Sequence, residues 1–463
     1  MFDEMLKSLS FSDEDIVDGS SFEVTEFADS DALPSAYPVS TLALSSVQSA
    51  AHCLQRFALA RGLSPGTLSV DPVLSSLWFS SSARAVGWQI PPLWDPIAGD
   101  YACADGWIRL HTNYEHHRQA ALSVLGCKEE RSAVEQTVAL RSVDEFENAV
   151  VKAGGCAAAM RSMTEWAEHK QGQSVAREPL IHWSVRDSDT AERSESAELP
   201  KDLTKPLHGI KVLDCTRVLA GPAATRFLAG FGADVLRIDP PHWEEGGINT
   251  DMTLGKRRAG LDLKLEKDRA TFRHLLQQAD VFVHGLRADA MESLGLGDDT
   301  RQRINPQLID VALNAYGWSG PWAMRRGFDS LVQMSCGIAD HGMRIAAIDK
   351  PRPLPVQALD HATGYLMAAS VLTGLYRLKT EGVLCSARLS LARTATLLTN
   401  RALYEFTGDL TLDAFDHNKD NKRHIENTVW GKLERLPFPV SFEQCAVSWQ
   451  HPAGELRVHL PEW

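Results

Sequence analysis

The chain has 463 residues, of which 60 are acidic and 47 basic, so its formal net charge at pH 7 is −13. This length suffices for about two domains with a sizeable core, and the acidic balance argues against a nucleic-acid-binding surface. The eight cysteines form no CxxC pair, which indicates reduced thiols in a cytosol-like compartment, and no apolar run approaches the roughly 20 residues of a membrane-spanning helix.

The N-terminal segment, residues 1–40, is acidic and rich in Ser and Asp. It predicts a poorly ordered start that is unlike a basic presequence, so we expect a cytoplasmic protein. From residue 41 onward, apolar residues recur at helical spacing as far as Gly62. This spacing predicts an amphipathic helix that ends at the glycine.

Two further segments follow that helix. Aromatic-rich and helix-like stretches alternate up to residue 185, so the unit predicted over 41–185 comprises this helix and a smaller mixed α+β domain. Residues 186–206 are polar and charged and contain two prolines, a composition typical of a linker.

Residues 207–410 show another pattern, in which short apolar runs alternate with helix-like stretches. The runs KVLDC, DVLRID, DVFVHGL and QLIDVALNA are separated by segments such as DRATFRHLLQQ. This alternation predicts an α/β domain with a Rossmann-like, mostly parallel sheet and crossover helices. Residues 411–463 then form a closing segment.

Residues 212–241 begin like a nucleotide-binding unit but lack the glycine fingerprint that surrounds a pyrophosphate. Pro222 suits the first position of a helix, which predicts free N–H groups at 223–225 for an anion; a plain turn is the alternative. Basic residues in later loops either are solvated surface charges or together bind a phosphorylated ligand. These residues are Lys256, Arg257, Arg258, Arg325 and Arg326.

The run LHGIKVLDCTRVLAGPAATRFLAGFGADVLRIDPP closely resembles the family III CoA-transferases, a group that includes formyl-CoA transferase, carnitine CoA-transferase and acyl-CoA racemases. GKRRAGLDLK and ALDHATGYLMAASVLTGL extend the resemblance from 207 to about 378. The resemblance implies that the sheet holds CoA. It also implies that residues 97–183 correspond to a small domain that such chains place after the sheet domain, as in a circular permutant.

Asp360 is the candidate catalytic residue. From the residues alone it opens a predicted helix, where it is either an N-cap or a carboxylate kept ionised by the helix N-terminus. The resemblance implies that Asp360 is a nucleophile that forms covalent acyl intermediates. The CoA contacts that the resemblance implies are Val218, Leu219, Ala220, Leu254, Lys256, Arg257 and Arg326.

The function that the resemblance implies is transfer of CoA from a donor acyl-CoA to an acceptor carboxylic acid. It further implies an intertwined homodimer, CoA and acyl-CoA as substrates, and no permanently bound cofactor, metal, nucleic acid or membrane partner. The sequence does not identify which carboxylic acids serve as donor and acceptor.

Two alternatives stay open as well. A racemase would use a His-Asp pair, but Phe328 occupies the histidine position in RGFDS, and only His361 beside Asp360 could replace it. Departures from the family pattern at Gly285, at Ser293 and over 380–386 allow a degenerate CoA-binding protein without activity.

Two other groups of residues suggest chemistry but are interpreted as structural. His111, His116 and His117 match no common zinc spacing, so we expect them at the surface or in structural contacts. Cys215 ends a buried-looking strand, and we expect it in the core.

Overall fold

The computed structural model describes residues 1–9, 22–24, 32–187, 204–401 and 423–463. Most of the predicted linker and the predicted boundary at 410/411 therefore lie outside the described residues. The elements before residue 188 are α1 (Phe2–Leu9), β1 (Phe22–Val24), α2 (Val39–Ala60), β2 (Leu68–Val70), α3 (Pro72–Ser80), β3 (Ala83–Val86), β4 (Gly99–Ala102), β5 (Trp107–Leu110), α4 (Glu115–Leu125), α5 (Arg131–Val138), α6 (Val143–Lys152), β6 (Ala157–Ala159), α7 (Met163–Glu168), α8 (Lys170–Arg177) and β7 (His182–Asp187).

The second part of the chain carries the strand and helix alternation that the sequence predicts. Its elements are β8 (Lys211–Cys215), α9 (Ala220–Gly230), β9 (Asp234–Asp239), α10 (Asn249–Met252), β10 (Arg257–Gly260), α11 (Glu266–Gln278), β11 (Val281–His284), α12 (Ala288–Ser293), α13 (Asp298–Ile304), β12 (Ile309–Asn314), α14 (Asp329–Ser335), α15 (Ile338–Ile345), α16 (Ala358–Thr380), β13 (Val383–Ser390), α17 (Leu391–Thr399), β14 (His424–Thr428), β15 (Gly431–Arg435) and β16 (Val440–Phe442).

A seven-stranded sheet in the order β10-β9-β8-β11-β12-β13-β7 organises the large domain. Its pairs are parallel except that β7 runs antiparallel to β13. Successive side chains point to opposite faces, so Val212 joins one buried cluster and Leu213 the other. Because both faces are covered, the strands are continuous apolar runs, and the predicted α/β fold is confirmed.

Helices α2, α9 and α16 cover one face of this sheet, and α11 covers the other. Helix α16 is buried on all sides from Ala358 to Leu375, because it lies between the sheet, α2 and α9. A helix that is apolar all round requires such a central position. Its first turn therefore sits deep in the large domain.

Strands β4, β5 and β6 with helices α4, α5 and α6 form the smaller α+β unit, which has its own core around Tyr101, Ile108 and Phe146. A further apolar cluster, including Ala158, Leu331 and Met334, docks this unit against α14 and α15. The small unit is thus held beside the loop that precedes α14.

Residues 41–185, predicted to form a helix and a small α+β domain, also contribute elements to other parts of the fold. Helix α2 packs on α16 of the large domain, β2 pairs with β16, and β3 pairs with β15. Strand β7 extends past the predicted boundary at residue 185 and completes the large sheet. Sequence patterns report local structure and do not show these long-range pairings.

The structure also corrects the prediction of a poorly ordered N-terminus for the first described residues, 1–9. Phe2–Leu9 form helix α1, and its Met5 and Leu9 are buried. The segment is ordered because these apolar side chains pack on α2. Within the described residues, no helix combines the length and apolar character needed to cross a bilayer.

Candidate active site

The carboxyl ends of the parallel strands border one crevice. From β8 the chain continues to β9 toward one edge of the sheet, and from β11 it continues to β12 toward the other edge. The strand order therefore reverses between β8 and β11. Open α/β sheets bind ligands outside the carboxyl ends of their strands at such a switch point. A cavity of about 510 Å³ lies there, and we name it the Asp360 cavity.

The walls of the Asp360 cavity come from loops that follow four strands, from the segment before α14, from α16 and α17, and from α4 of the small unit. The lining residues are His116, His117, Arg217, Val218, Ala220, Pro240, Trp243, Gly285, Leu286, Arg287, Ala290, Leu313, Asn314, Ala315, Trp318, Ala323, Met324, Arg325, Arg326, Gly327, Phe328, Asp360 and Leu391.

Asp360 is the third residue of α16 and is 7% exposed. The N-cap is Gln357, whose side chain makes no capping hydrogen bond. Instead, Asp329 caps the helix from α14: one carboxyl oxygen accepts a hydrogen bond from the Asp360 backbone N–H at 2.8 Å. Gln333 donates to the other oxygen of Asp329. A second carboxyl group therefore lies directly beside the candidate nucleophile.

This arrangement corrects the expectation that the helix N-terminus keeps Asp360 ionised. Burial, and then the negative charge of Asp329, raise the pKa of Asp360 well above its ordinary value. Burial likewise raises the pKa of Asp329 to about 6, against the hydrogen bonds that it accepts from Gln333 and two backbone amides. Two neighbouring carboxyl groups resist joint ionisation, so the resting pair holds a proton more tightly than isolated aspartates do.

Three of the seven residues predicted to contact CoA line the cavity with Asp360, namely Val218, Ala220 and Arg326. Leu219 lies between the first two as the N-cap of α9. Arg326 makes only a 3.5 Å contact, with the carbonyl oxygen of Gly154, and pairs with no carboxylate in the described part of the chain. Its guanidinium is thus available to a negatively charged ligand.

The other three residues do not reach this cavity. The Lys256 ammonium is fully buried, 3.2 Å from Asp214 and 3.0 Å from the carbonyl oxygen of Pro222. Arg257 pairs with Asp234 at 2.6 Å, and Leu254 is 3% exposed. The structure therefore corrects the role predicted for Lys256, because this side chain neutralises a buried carboxylate at the end of β8.

The predicted anion site at the start of α9 is also displaced. The helix begins at Ala220, so Pro222 occupies its third position, and Ala223 N–H already donates to the carbonyl oxygen of Leu219 at 2.7 Å. The backbone amides that donate to no described atom are those of Leu219, Ala220 and Gly221. The helix starts earlier because the chain turns at Val218, which has a φ of 66°.

Among the departures from the family pattern, Gly285 and Leu286 border the cavity. Ser293 is exposed at the end of α12, and residues 380–386 lie in the turn and strand that follow α16. Phe328 also lines the cavity, and its ring stacks on His111 with centroids 3.6 Å apart. His361 stacks on Phe79 instead of lining the cavity, so it does not stand in for a racemase base.

The sequence analysis missed several residues of the cavity. Arg217 and Arg287 lie in the loops that follow β8 and β11, and their position after apolar runs was a signal that could have identified them. Trp243 gave no such signal. His116 and His117 come from the small unit, and burial lowers the pKa of His117 to about 3, so its imidazole is neutral.

Two other expectations concern metals and the core. In the described ranges, no group of three His, Cys, Asp or Glu side chains is arranged to hold a metal ion. Cys215 is 2% exposed within the cluster under α11, as the sequence suggested.

Comparison with known proteins finds one matching family and several partial relatives. Residues 207–429 match the family described as CoA-transferase family III. An acetyl-coenzyme A transferase of Hypoxylon pulicicidum is 31% identical over 231 residues, 48% of this chain and 39% of that protein. A probable fatty acyl-CoA transferase of Mycobacterium tuberculosis is 34% identical over 193 residues, 39% of this chain and 48% of that protein.

A crystal structure of the Mycobacterium tuberculosis protein Rv3272 has 32% sequence identity and a TM-score of 0.37, and it covers 42% of this chain and 56% of that chain. The chain spans half or less of the length of the two curated relatives. The residues that match CoA-transferase family III, 207–429, make up just under half of the chain, and they supply the parallel strands of the sheet and most of the Asp360 cavity.

Proposed function

We propose that the protein transfers CoA from a donor acyl-CoA to an acceptor carboxylic acid and that Asp360 is the nucleophile. The observation that carries this proposal is the position of Asp360. Asp360 lines a cavity at the switch point of the sheet, together with Val218, Ala220 and Arg326. The names of the two curated relatives, both acyl-CoA or acetyl-CoA transferases, support the same reaction class.

In the first half of the reaction, an ionised Asp360 oxygen bonds to the carbonyl carbon of the donor thioester. The carbon–sulfur bond breaks, CoA leaves as a thiolate, and a mixed anhydride forms on Asp360. The thiolate then attacks the Asp360 carbonyl carbon and breaks the anhydride bond. The donor acid leaves as a carboxylate, and an aspartyl-CoA thioester remains.

The second half repeats these steps in reverse order with the acceptor. Its carboxylate attacks the aspartyl thioester and releases the thiolate, which then attacks the acyl carbon of the acceptor. Acceptor acyl-CoA forms and the Asp360 carboxylate is regenerated. Covalent catalysis thereby divides one difficult exchange into steps with lower barriers.

The residues around Asp360 suit this chemistry. The raised pKa of Asp360 makes its carboxylate a stronger nucleophile once it is ionised. Arg217, Arg287 and Arg326 border the cavity and supply positive charge for CoA phosphates. The neighbouring wall, with Ala220, Ala315 and Leu391, is apolar and excludes water from the anhydride.

A direct experiment tests the nucleophile. We expect incubation with a panel of acyl-CoAs, followed by hydroxylamine and peptide mass spectrometry, to modify Asp360 with at least one donor. Asp360→Asn should form no adduct and lose at least about 1,000-fold in rate. Asp349→Asn, at an exposed aspartate outside the cavity, is the matched control and should keep the wild-type rate.

Absence of an adduct with every donor, while CoA still binds, would favour the degenerate CoA-binding protein. Exchange of an α-proton without transfer would favour the racemase, although Phe328 offers no base. We further propose that two chains of this protein form an intertwined homodimer.

A further inference from the structure

The turn that begins the cavity wall is strained at Val218. Its φ is 66°, a left-handed conformation that is strained for a β-branched residue. Such a backbone persists when surrounding contacts hold it in place. Val218 itself lines the cavity, so the strain lies at the site.

Glu245 is the residue that holds this turn. One of its carboxylate oxygens accepts a hydrogen bond from the Val218 backbone N–H at 2.7 Å and another from the Trp243 indole at 2.9 Å. The other oxygen binds the buried guanidinium of Arg237 at 2.7 Å. Both Glu245 and Arg237 have 0% side-chain exposure, and a fixed, desolvated carboxylate makes strong hydrogen bonds.

The Val218 turn leads directly into the start of α9, where several backbone amides are free. After the turn at Val218, the amides of Leu219, Ala220 and Gly221 donate to no described atom. The Ala220 carbonyl oxygen is so close to α16 that a Cβ on Gly364 would lie 2.3 Å from it. Gly364 is one turn beyond Asp360, so the start of α9, which carries these amides, packs against the first turns of α16.

We infer that Glu245 is a positioning residue, which fixes the strained Val218 turn so that the free amides after it and the Trp243 indole face the acyl-CoA beside Asp360. This inference rests on the proposed function. Backbone N–H groups at a helix start are suited to stabilise a developing oxyanion. Glu245 acts through these groups without touching the substrate.

The test combines two substitutions in the full-length protein. Glu245→Ala removes the acceptor for the Val218 amide, and we expect the single-turnover rate of Asp360 acylation to fall about 10- to 100-fold. Val218→Gly removes the strain, because glycine adopts a positive φ at little cost. Adding Val218→Gly to Glu245→Ala should therefore restore at least about a tenth of the lost rate.

Glu244→Gln is the matched control, because Glu244 is exposed and pairs with Arg457 instead of the turn; it should keep the wild-type rate. If Glu245→Ala does not fold, Glu245→Leu replaces it, because leucine fills much of the same volume and offers no acceptor oxygen to the Val218 amide. An unchanged rate in the Glu245 variant, or a lost rate that Val218→Gly leaves unrestored, would overturn the inference.

Calorimetric titration with CoA separates this inference from the proposed function. We expect Glu245→Ala to weaken CoA binding at least about fivefold and Val218→Gly to recover it, whether or not the protein transfers acyl groups. Wild-type protein without any Asp360 adduct would refute the proposed function. Unchanged CoA affinity in Glu245→Ala would then refute the positioning role as well.

Discussion

At the scale of single residues, the pairing of Asp360 with Asp329 decides the chemistry of the site. Asp329 caps α16 through the Asp360 amide, yet its negative charge and the burial raise the pKa of Asp360. The same contact therefore stabilises the helix backbone and destabilises the ionised form of Asp360, the proposed nucleophile. Functional sites commonly keep such local costs.

We predict that Asp360→Asn is more stable than the wild type and that its advantage grows with pH. The folded-state pKa of Asp360 is above the unfolded value of about 3.9, so the stability that this group contributes is present at low pH and is lost as pH rises through the folded pKa. Asp360→Asn has no ionisable group at this position, so its stability does not fall with pH for this reason. Because this loss begins above the unfolded pKa, urea unfolding should show a larger gain for Asp360→Asn at pH 8 than at pH 5; an equal gain at both would contradict the prediction.

We also predict an acid limb in the pH–rate profile. Because only the ionised carboxylate attacks, kcat/KM should rise with pH up to an apparent pKa above the ordinary range of an aspartate. The apparent value belongs to the Asp329 and Asp360 pair. Initial rates from pH 4.5 to 8.5 measure it, and a rate that is already constant at pH 5 would refute the expectation.

At the scale of secondary-structure elements, the close packing of α9 against α16 places the cavity wall beside the nucleophile. Glycine at position 364 permits this approach, because any larger residue would place a Cβ 2.3 Å from the Ala220 carbonyl oxygen. The contact is with backbone atoms, so a small side-chain adjustment cannot relieve it.

We therefore predict that Gly364→Ala separates the two helices, lowers stability by about 1–3 kcal/mol and lowers the acylation rate more than it lowers CoA binding. Thermal unfolding and single-turnover kinetics measure both effects. Gly209→Ala is a control for glycine replacement in a place where an added Cβ meets no atom within 4 Å, although its positive φ makes a small loss of stability expected there too. An unchanged acylation rate in Gly364→Ala would show that the helices can separate without consequence.

At the scale of the whole molecule, the N-terminal part of the chain completes the large domain. Strand β7 pairs with β13 at the sheet edge, and α2 covers the central helix α16. The segment at 207–429 that matches CoA-transferase family III thus obtains part of its core from residues that precede it. The physical domain and the matched segment do not coincide.

We predict that residues 204–463 do not fold alone, because removing α2 exposes the buried length of α16. Circular dichroism and analytical ultracentrifugation of this fragment should show aggregation and no cooperative unfolding. Co-expression of residues 1–187 should restore a complex that unfolds cooperatively. A fragment 204–463 with a wild-type melting temperature would contradict this view.

The sequence alone determined the local structure of the large domain. Strands such as Lys211–Cys215 and Asp234–Asp239 have the predicted bounds, because buried parallel strands are short apolar runs that interrupt helical periodicity. Asp360 was found through its resemblance to the family, since its helix signal also fits a simple cap. The tertiary structure alone decided its protonation, because Asp329 lies 31 residues away in the chain.

The same division holds for the rest of the site and for the domain boundaries. Basic residues are visible in the sequence, yet only their partners show that Lys256 neutralises Asp214 while Arg326 is available to a ligand. Periodicity identified α2 but could not assign it to the large domain. Local propensity acts between near neighbours in the chain, whereas ion pairing, helix packing and sheet completion depend on contacts between residues that only folding brings together.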